Sequence, residues 1–176
     1  MKISKVKTAI KAGDFVLRDD GHKNFIKFVP TIDKDLYKSD VGRIYIFTSN
    51  GVIKKIGGSK SKGGLKTTIG FYTSSMTGNP GAPRYIIHLL IRDELMSGKK
   101  VECYMIPLTA MKAPVPGLFD ADEEQLVTSF SESETRCNQD YYESCGHFPP
   151  WNFQESHQSY PSEYWELFIE SKQENN

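Results

Sequence analysis

The sequence predicts an α+β fold: a small antiparallel three-stranded sheet flanked by helices, in the order β-β-α-α-β-α, with extensions at both ends. Three observations carry this. Two β-rich runs, residues 42–47 and 52–57, flank Ser49-Asn50-Gly51, the pattern of a tight hairpin. Two stretches with apolar residues at helical spacing follow, and then a further β-rich run at 99–106. A chain of 176 residues is one ordinary domain, long enough to bury a working core.

Residues 3–12 suit a short amphipathic helix ended at Gly13, and 24–29 form a candidate strand stopped by Pro30; together they belong to an N-terminal extension, residues 1–40. The hairpin opens a core at 41–153. Gly63-Gly64 then starts a helix with Leu65, Ile69, Tyr72 and Met76 on one face, and Gly78-Asn79-Pro80-Gly81 breaks the chain. Pro83 occupies the favoured first turn of a second helix, whose stripe is Ile86, Leu89, Leu90 and Met96. Residues 99–106 form the third strand, ended by Pro107. Beyond Pro114 and Pro116, Asp120 or Asp122 caps a third helix reaching about Phe130. Residues 154–176 form an acidic, aromatic tail packed on the core. Its Tyr160, Tyr164, Trp165 and Phe168 suit the packing of a final helix or a dimer contact.

Each run of the hairpin carries one polar side chain that a structural hairpin does not need, Tyr45 and Lys55. A three-residue loop with Gly51 left-handed pairs Thr48 with Val52 and sets Tyr45 directly across from Lys55. A two-residue Asn-Gly turn puts them on opposite faces, because a one-residue change of register flips every side chain. Taken singly, Tyr45 reads as a cross-strand aromatic partner and Lys55 as a solvated strand residue.

Charge is one-sided. Residues 1–112 hold 20 basic and 9 acidic side chains, and residues 113–176 hold 2 and 13, so the net charge of zero averages two unlike parts. From 41 to 92 there are Arg43, Lys54, Lys55, Lys60, Lys62, Lys66, Arg84 and Arg92 and no acidic residue. Such a window fits a polyphosphate-binding face and points to double-stranded DNA, against the plainer reading of a solvated surface. Arg43, Lys60, Lys62 and Arg84 are the DNA- and phosphate-binding candidates. No apolar run approaches about 20 residues, so no membrane partner is expected. Three unevenly spaced cysteines and a first stretch without an apolar core suit a reducing cytoplasm.

On the expected third helix, Phe119, Glu123, Leu126, Val127 and Phe130 share one face, so Glu123 sits on the stripe meant for burial. A buried carboxylate needs a partner: either a lysine or a cation such as Mg²⁺, which takes one or two carboxylates plus waters and phosphate oxygens.

Arg43-Ile44-Tyr45 and Lys55-Ile56-Gly57, ten residues apart from Tyr45 to Lys55 across a hairpin, resemble the paired motif of the GIY-YIG nuclease superfamily. The closest likeness is to its small type II restriction endonucleases, in which Lys can replace the second Tyr. The resemblance spans about Gly42 to Asn152, and its core order is the one expected above. It implies a site-specific DNA endonuclease using one divalent ion, Mg²⁺ with Mn²⁺ as a substitute, and leaving 5′-phosphate and 3′-hydroxyl ends. It makes Glu123, in Glu123-Glu124-Gln125-Leu126-Val127, the metal residue, and gives Asn152 after Pro149-Pro150-Trp151 a supporting role. The family's phosphate-binding Arg is missing. Lys66 stands in that neighbourhood as a point charge without a bidentate fork, and Arg84, at a helix N-terminus, is the second contact.

These residues suggest a hydrolysis in which Lys55 lowers the Tyr45 phenol from about 10 so that it activates water. Glu123 places the metal, and Lys66 and Arg84 supply positive charge. Cleavage of two-fold symmetric sites suggests a homodimer. The alternatives are a homing, repair or phage-borne nicking nuclease, or a catalytically inactive DNA-binding relative. A nucleotide-binding loop at 58–64 is rejected because Gly64 stands where its Lys belongs, and Cys137, Cys145, His147 and His157 fit no zinc spacing.

Overall fold

The computed structural model describes residues 1–115, 123–127 and 129–173, with residues 112, 115 and 123–127 described as backbone. The strands are β1 (Ile10–Leu17), β2 (Ile26–Pro30), β3 (Arg43–Ser49), β4 (Val52–Ser59), β5 (Val101–Pro107), β6 (Met111–Val115) and β7 (Glu123–Val127). The helices are α1 (Lys34–Lys38), α2 (Gly64–Thr73), α3 (Ala82–Met96), α4 (Phe130–Cys145), α5 (Phe153–Ser156) and α6 (Ser162–Gln173).

The fold class is α+β, but the sheet has five strands rather than three, in the order β2-β1-β5-β3-β4 and antiparallel throughout. The three strands expected in the core are β3, β4 and β5, and the candidate strand at 24–29 is β2. Both β1 and β2 come from the first forty residues. Only a three-residue 3₁₀ turn, Ile3–Lys5, forms where a helix over 3–12 was expected. Ile3 N–H donates to Gly51 O, and Ile53 N–H to Met1 O, so the first residues pair beside β4. Residues 10–17 are drawn into β1, which pairs with β2 on one side and β5 on the other. Ladder bonds to two neighbours outweigh the weak preference of a short helical pattern. Pro30 ends β2 at an outer edge of the sheet, where its missing N–H costs little.

Helices cover both faces. Phe15, Phe47, Met105 and Tyr45 pack under Leu65 and Ile69 of α2 and Ile87 and Ile91 of α3. On the other face Ile44, Ile46, Ile53 and Ile56 meet Tyr141 of α4. Each such buried side chain contributes about 1.5–3 kcal/mol. The expected α3 stripe shifts: Ile86, Ile87, Leu89 and Ile91 are buried, whereas Met96, in the last turn, is 69% exposed.

The third helix is corrected. Residues 123–127 form β7, paired with β6 from Val115↔Glu123 to Met111↔Val127, and α4 begins only at Phe130. The spacing of Phe119, Glu123 and Leu126 carried no knowledge of this cross-strand partner. Asp120, Asp122 and Phe119 lie outside the described residues.

Candidate active site

The hairpin takes the two-residue turn but, beyond a bulge, follows neither register that the sequence offered. Asn50 (φ 46°) and Gly51 (φ 73°) form a two-residue turn with Ser49 paired to Val52. That turn alone would separate Tyr45 and Lys55. A bulge at Lys54 then shifts the ladder by one residue, so that Thr48 pairs with Ile53 and Phe47 with Lys55. Lys55 therefore shares a face with Tyr45 after all, but sits across from Phe47, while Tyr45 faces Gly57. A Cβ at Gly57 would overlap Cζ and Oη of Tyr45, so the glycine is the floor on which the phenol lies.

Tyr45 Oη and Tyr72 Oη are 2.7 Å apart, joining β3 to α2. Tyr72 is held from behind: the buried His88 Nδ1 lies 2.7 Å from Tyr72 O, and Nε2 accepts from Phe25 N–H at 3.2 Å. Nδ1 is therefore the protonated nitrogen, and burial lowers the imidazole to about 4. The expected activation of Tyr45 by Lys55 is reversed. Burial first, then Tyr72 and Glu134, push Tyr45 well above its ordinary value. Burial also raises Tyr72, to about 12, against the lowering influence of its bond to Tyr45 and of Arg84. Burial lowers Lys55, against the pull of Glu155 and Glu134.

Two carboxylates complete the cluster, and neither was singled out from sequence. Glu134 lies on the inward stripe of α4 with Cys137, Asn138 and Tyr141, the pattern first read eleven residues too early around Glu123. Burial first raises its carboxyl and Glu155 adds to that, against the lowering influence of the Gly58 backbone and of Lys55. The signal was available: a helix stripe on which one position is acidic. Glu155 sits on α5, directly after Asn152.

Asn152 is fully buried, and its amide caps the outer edge of β4. Oδ1 accepts from Ile56 N–H at 2.9 Å, while Nδ2 donates to Ile56 O at 2.8 Å and to Asn138 Oδ1 at 3.0 Å. Trp151 N–H donates to Lys54 O at 2.8 Å. Lys54 and Ile56 on this edge thus both have partners.

The remaining candidates fall elsewhere. Lys66 is exposed, about 120° around α2 from Tyr72 at 100° per residue. It lines a different cavity, of about 370 Å³, with Arg18, His22 and Lys27. Arg84 is exposed, lies with Cζ 4.2 Å from the Phe71 ring centre, and is near enough to lower Tyr72. Arg43 is 1% exposed. Its Nε donates to Val41 O at 2.9 Å and Nη2 to Ser61 O at 3.3 Å, so it pins the loop before α2 from within. Lys60 and Lys62 are exposed on that loop, with Lys60 Nζ 5.6 Å from the Phe130 ring centre. Glu123 is on β7, its side chain outside the described residues.

No protein-family model and no curated protein matches the chain. Solved structures do match, two endonucleases among them. One is a mutant of bacteriophage T4 EndoII, at TM-score 0.58 and 21% identity over 86% of this chain and 98% of that one. The other is restriction endonuclease HPY188I in complex with product DNA, at TM-score 0.53 and 15% identity over 85% of this chain and 84% of that one. The five-stranded sheet, with its tyrosine pair, lysine and glutamate at one edge, is thus built on a fold shared with two endonucleases.

Proposed function

We infer that the protein is a divalent-metal-dependent DNA endonuclease of the type II restriction kind. One observation carries this: Tyr45, Tyr72, Lys55 and Glu134 converge at the β4 edge of an endonuclease fold.

The donor set fits a hard cation. Glu134 offers carboxylate oxygens beside a cavity of about 440 Å³ with polar walls, and its neighbour Glu155 adds negative charge. Among the described residues no group of three His, Cys, Asp or Glu gathers, so Glu134 would hold an ion together with waters and phosphate oxygens. A bound ion supplies charge stabilisation at the phosphate and the leaving oxygen.

The side chains account for the rest. Tyr45 and Tyr72 are both neutral, so they hold the attacking water by hydrogen bonds and do not deprotonate it. Lys55, made less basic by burial, takes that proton. The water oxygen bonds to phosphorus as the bond to the 3′ oxygen breaks, and that oxygen takes a proton from solvent water, leaving a 5′ phosphate and a 3′ hydroxyl. Arg84 supplies the guanidinium whose absence near Lys66 was the departure from the resembled family. Glu134 takes the metal role first given to Glu123, whose case rested on a helix that is β7. Asn152 holds the β4 edge. Lys60 and Lys62 are DNA contacts on the loop, and action on two-fold symmetric sites suits a homodimer.

Incubating plasmid with protein and Mg²⁺ tests this reading. Discrete fragments are expected. Glu134→Ala and Tyr45→Phe should cut at least about a hundredfold more slowly, and Glu123→Ala like wild type. A gel shift without cuts, or full activity of Glu134→Ala, overturns it.

A further inference from the structure

We propose that His88 is a positioning residue for Tyr72, fixing the end of α2 so that the two phenols meet. This rests on the endonuclease reading above and adds to that site a residue that acts from behind it. In Ile86-Ile87-His88-Leu89-Leu90-Ile91 the histidine interrupts an apolar run of α3, and its side chain is fully buried. A position that only packed would hold one more aliphatic residue. Both ring nitrogens are used instead, one on each of two elements. Nδ1 donates to Tyr72 O at 2.7 Å, and Nε2 accepts from Phe25 N–H at 3.2 Å.

Tyr72 O belongs to the last turn of α2, where carbonyls lack helical donors. Ser74 N–H serves Gly70 O and Ser75 Oγ serves Phe71 O, so the next carbonyl in line is the one His88 takes. The same end of α2 is tied to the turn between β1 and β2 by Asn24. Its Oδ1 accepts from Met76 N–H at 2.8 Å, and its Nδ2 donates to Thr77 Oγ1 at 3.3 Å. His88 and residues 24–25 thus form one clamp, drawn from α3 and the N-terminal extension, on the chain from 72 to 77. From that clamped backbone Tyr72 carries its hydroxyl to Tyr45 Oη, 2.7 Å away. A small rotation of the helix end is enlarged at the far end of the ring, and a misplacement of about 1 Å costs about a hundredfold in rate.

Two substitutions separate the two bonds. An Asn amide keeps a donor at the place of Nδ1, for Tyr72 O, and a Gln amide keeps an acceptor at the place of Nε2, for Phe25 N–H. Plasmid cleavage by the full chain with Mg²⁺ is measured alongside denaturant unfolding. His88→Asn and His88→Gln each lose one bond and should lower the unfolding midpoint by similar amounts. His88→Gln should cut about tenfold or more slowly at saturating DNA with KM unchanged, whereas His88→Asn should rescue the rate to within about threefold of wild type. In Tyr72→Phe, which keeps the carbonyl but has no hydroxyl to place, His88→Gln should cost no further rate. Equal rates for the two variants, a slower Asn variant, rates that merely follow the midpoints, or a Gln variant that does not fold would make His88 a structural cap. Each of these overturns this inference alone and leaves the endonuclease reading standing. A wild type that cuts no DNA overturns both.

Discussion

The Asn152 side chain behaves as one more residue of a β-ladder against Ile56, accepting from its N–H and donating to its C=O at 2.9 and 2.8 Å. An open strand edge next to a reactive cluster is thereby closed by a single amide. Asn152→Asp keeps the shape but sets an acceptor against the Ile56 carbonyl, and Asn152→Ala leaves both backbone groups and Asn138 unpaired. Each should cost about 2–4 kcal/mol in denaturant unfolding, and an unchanged midpoint contradicts this arrangement.

Gly57→Ala tests the floor beneath Tyr45. The added methyl overlaps Cζ and Oη of the phenol, so the ring must shift. We expect a loss of about 1–3 kcal/mol in stability and at least about tenfold in cleavage rate. In Tyr45→Phe, which lacks Oη, the same alanine should cost measurably less stability, and a double-mutant cycle measures the difference.

His88 predicts an acid-sensitive fold. It is neutral in the native state, lowered to about 4, while the unfolded chain carries a histidine near 6.5. Between those values the unfolded state binds more protons, so stability falls as pH drops through the window. The loss approaches roughly 3 kcal/mol at its lower end. His88→Gln should flatten the slope of unfolding free energy between pH 6.5 and 5. A slope identical to wild type would show that another group is responsible.

Lys55 predicts the pH dependence of cleavage. The base must be neutral, so the rate should climb with pH and level off below the ordinary lysine value of about 10.4, because burial lowers this amine. Lys55→Met should lose about 10²–10⁴-fold and the pH limb with it. A wild-type limb that persists in Lys55→Met would move the base to Tyr45 or Tyr72.

The sequence by itself determined the local elements with strong punctuation. Asn50-Gly51 set the turn, Gly63-Gly64 and Pro83 opened α2 and α3, and Pro107 closed β5. It also offered Tyr45, Lys55 and an inward glutamate as site candidates, of which Tyr45 and Lys55 share one face of the hairpin. Tertiary contacts decided the rest. The bulge at Lys54 placed Tyr45 and Lys55 on one face, pairing with β2 and β5 turned residues 10–17 into a strand, and β6 claimed the segment read as a helix around Glu123. Burial then reversed the charge logic, leaving the phenol neutral and the amine less basic. Register, pairing and desolvation depend on what lies across a gap in space, and a pattern read along one segment holds no information about that partner.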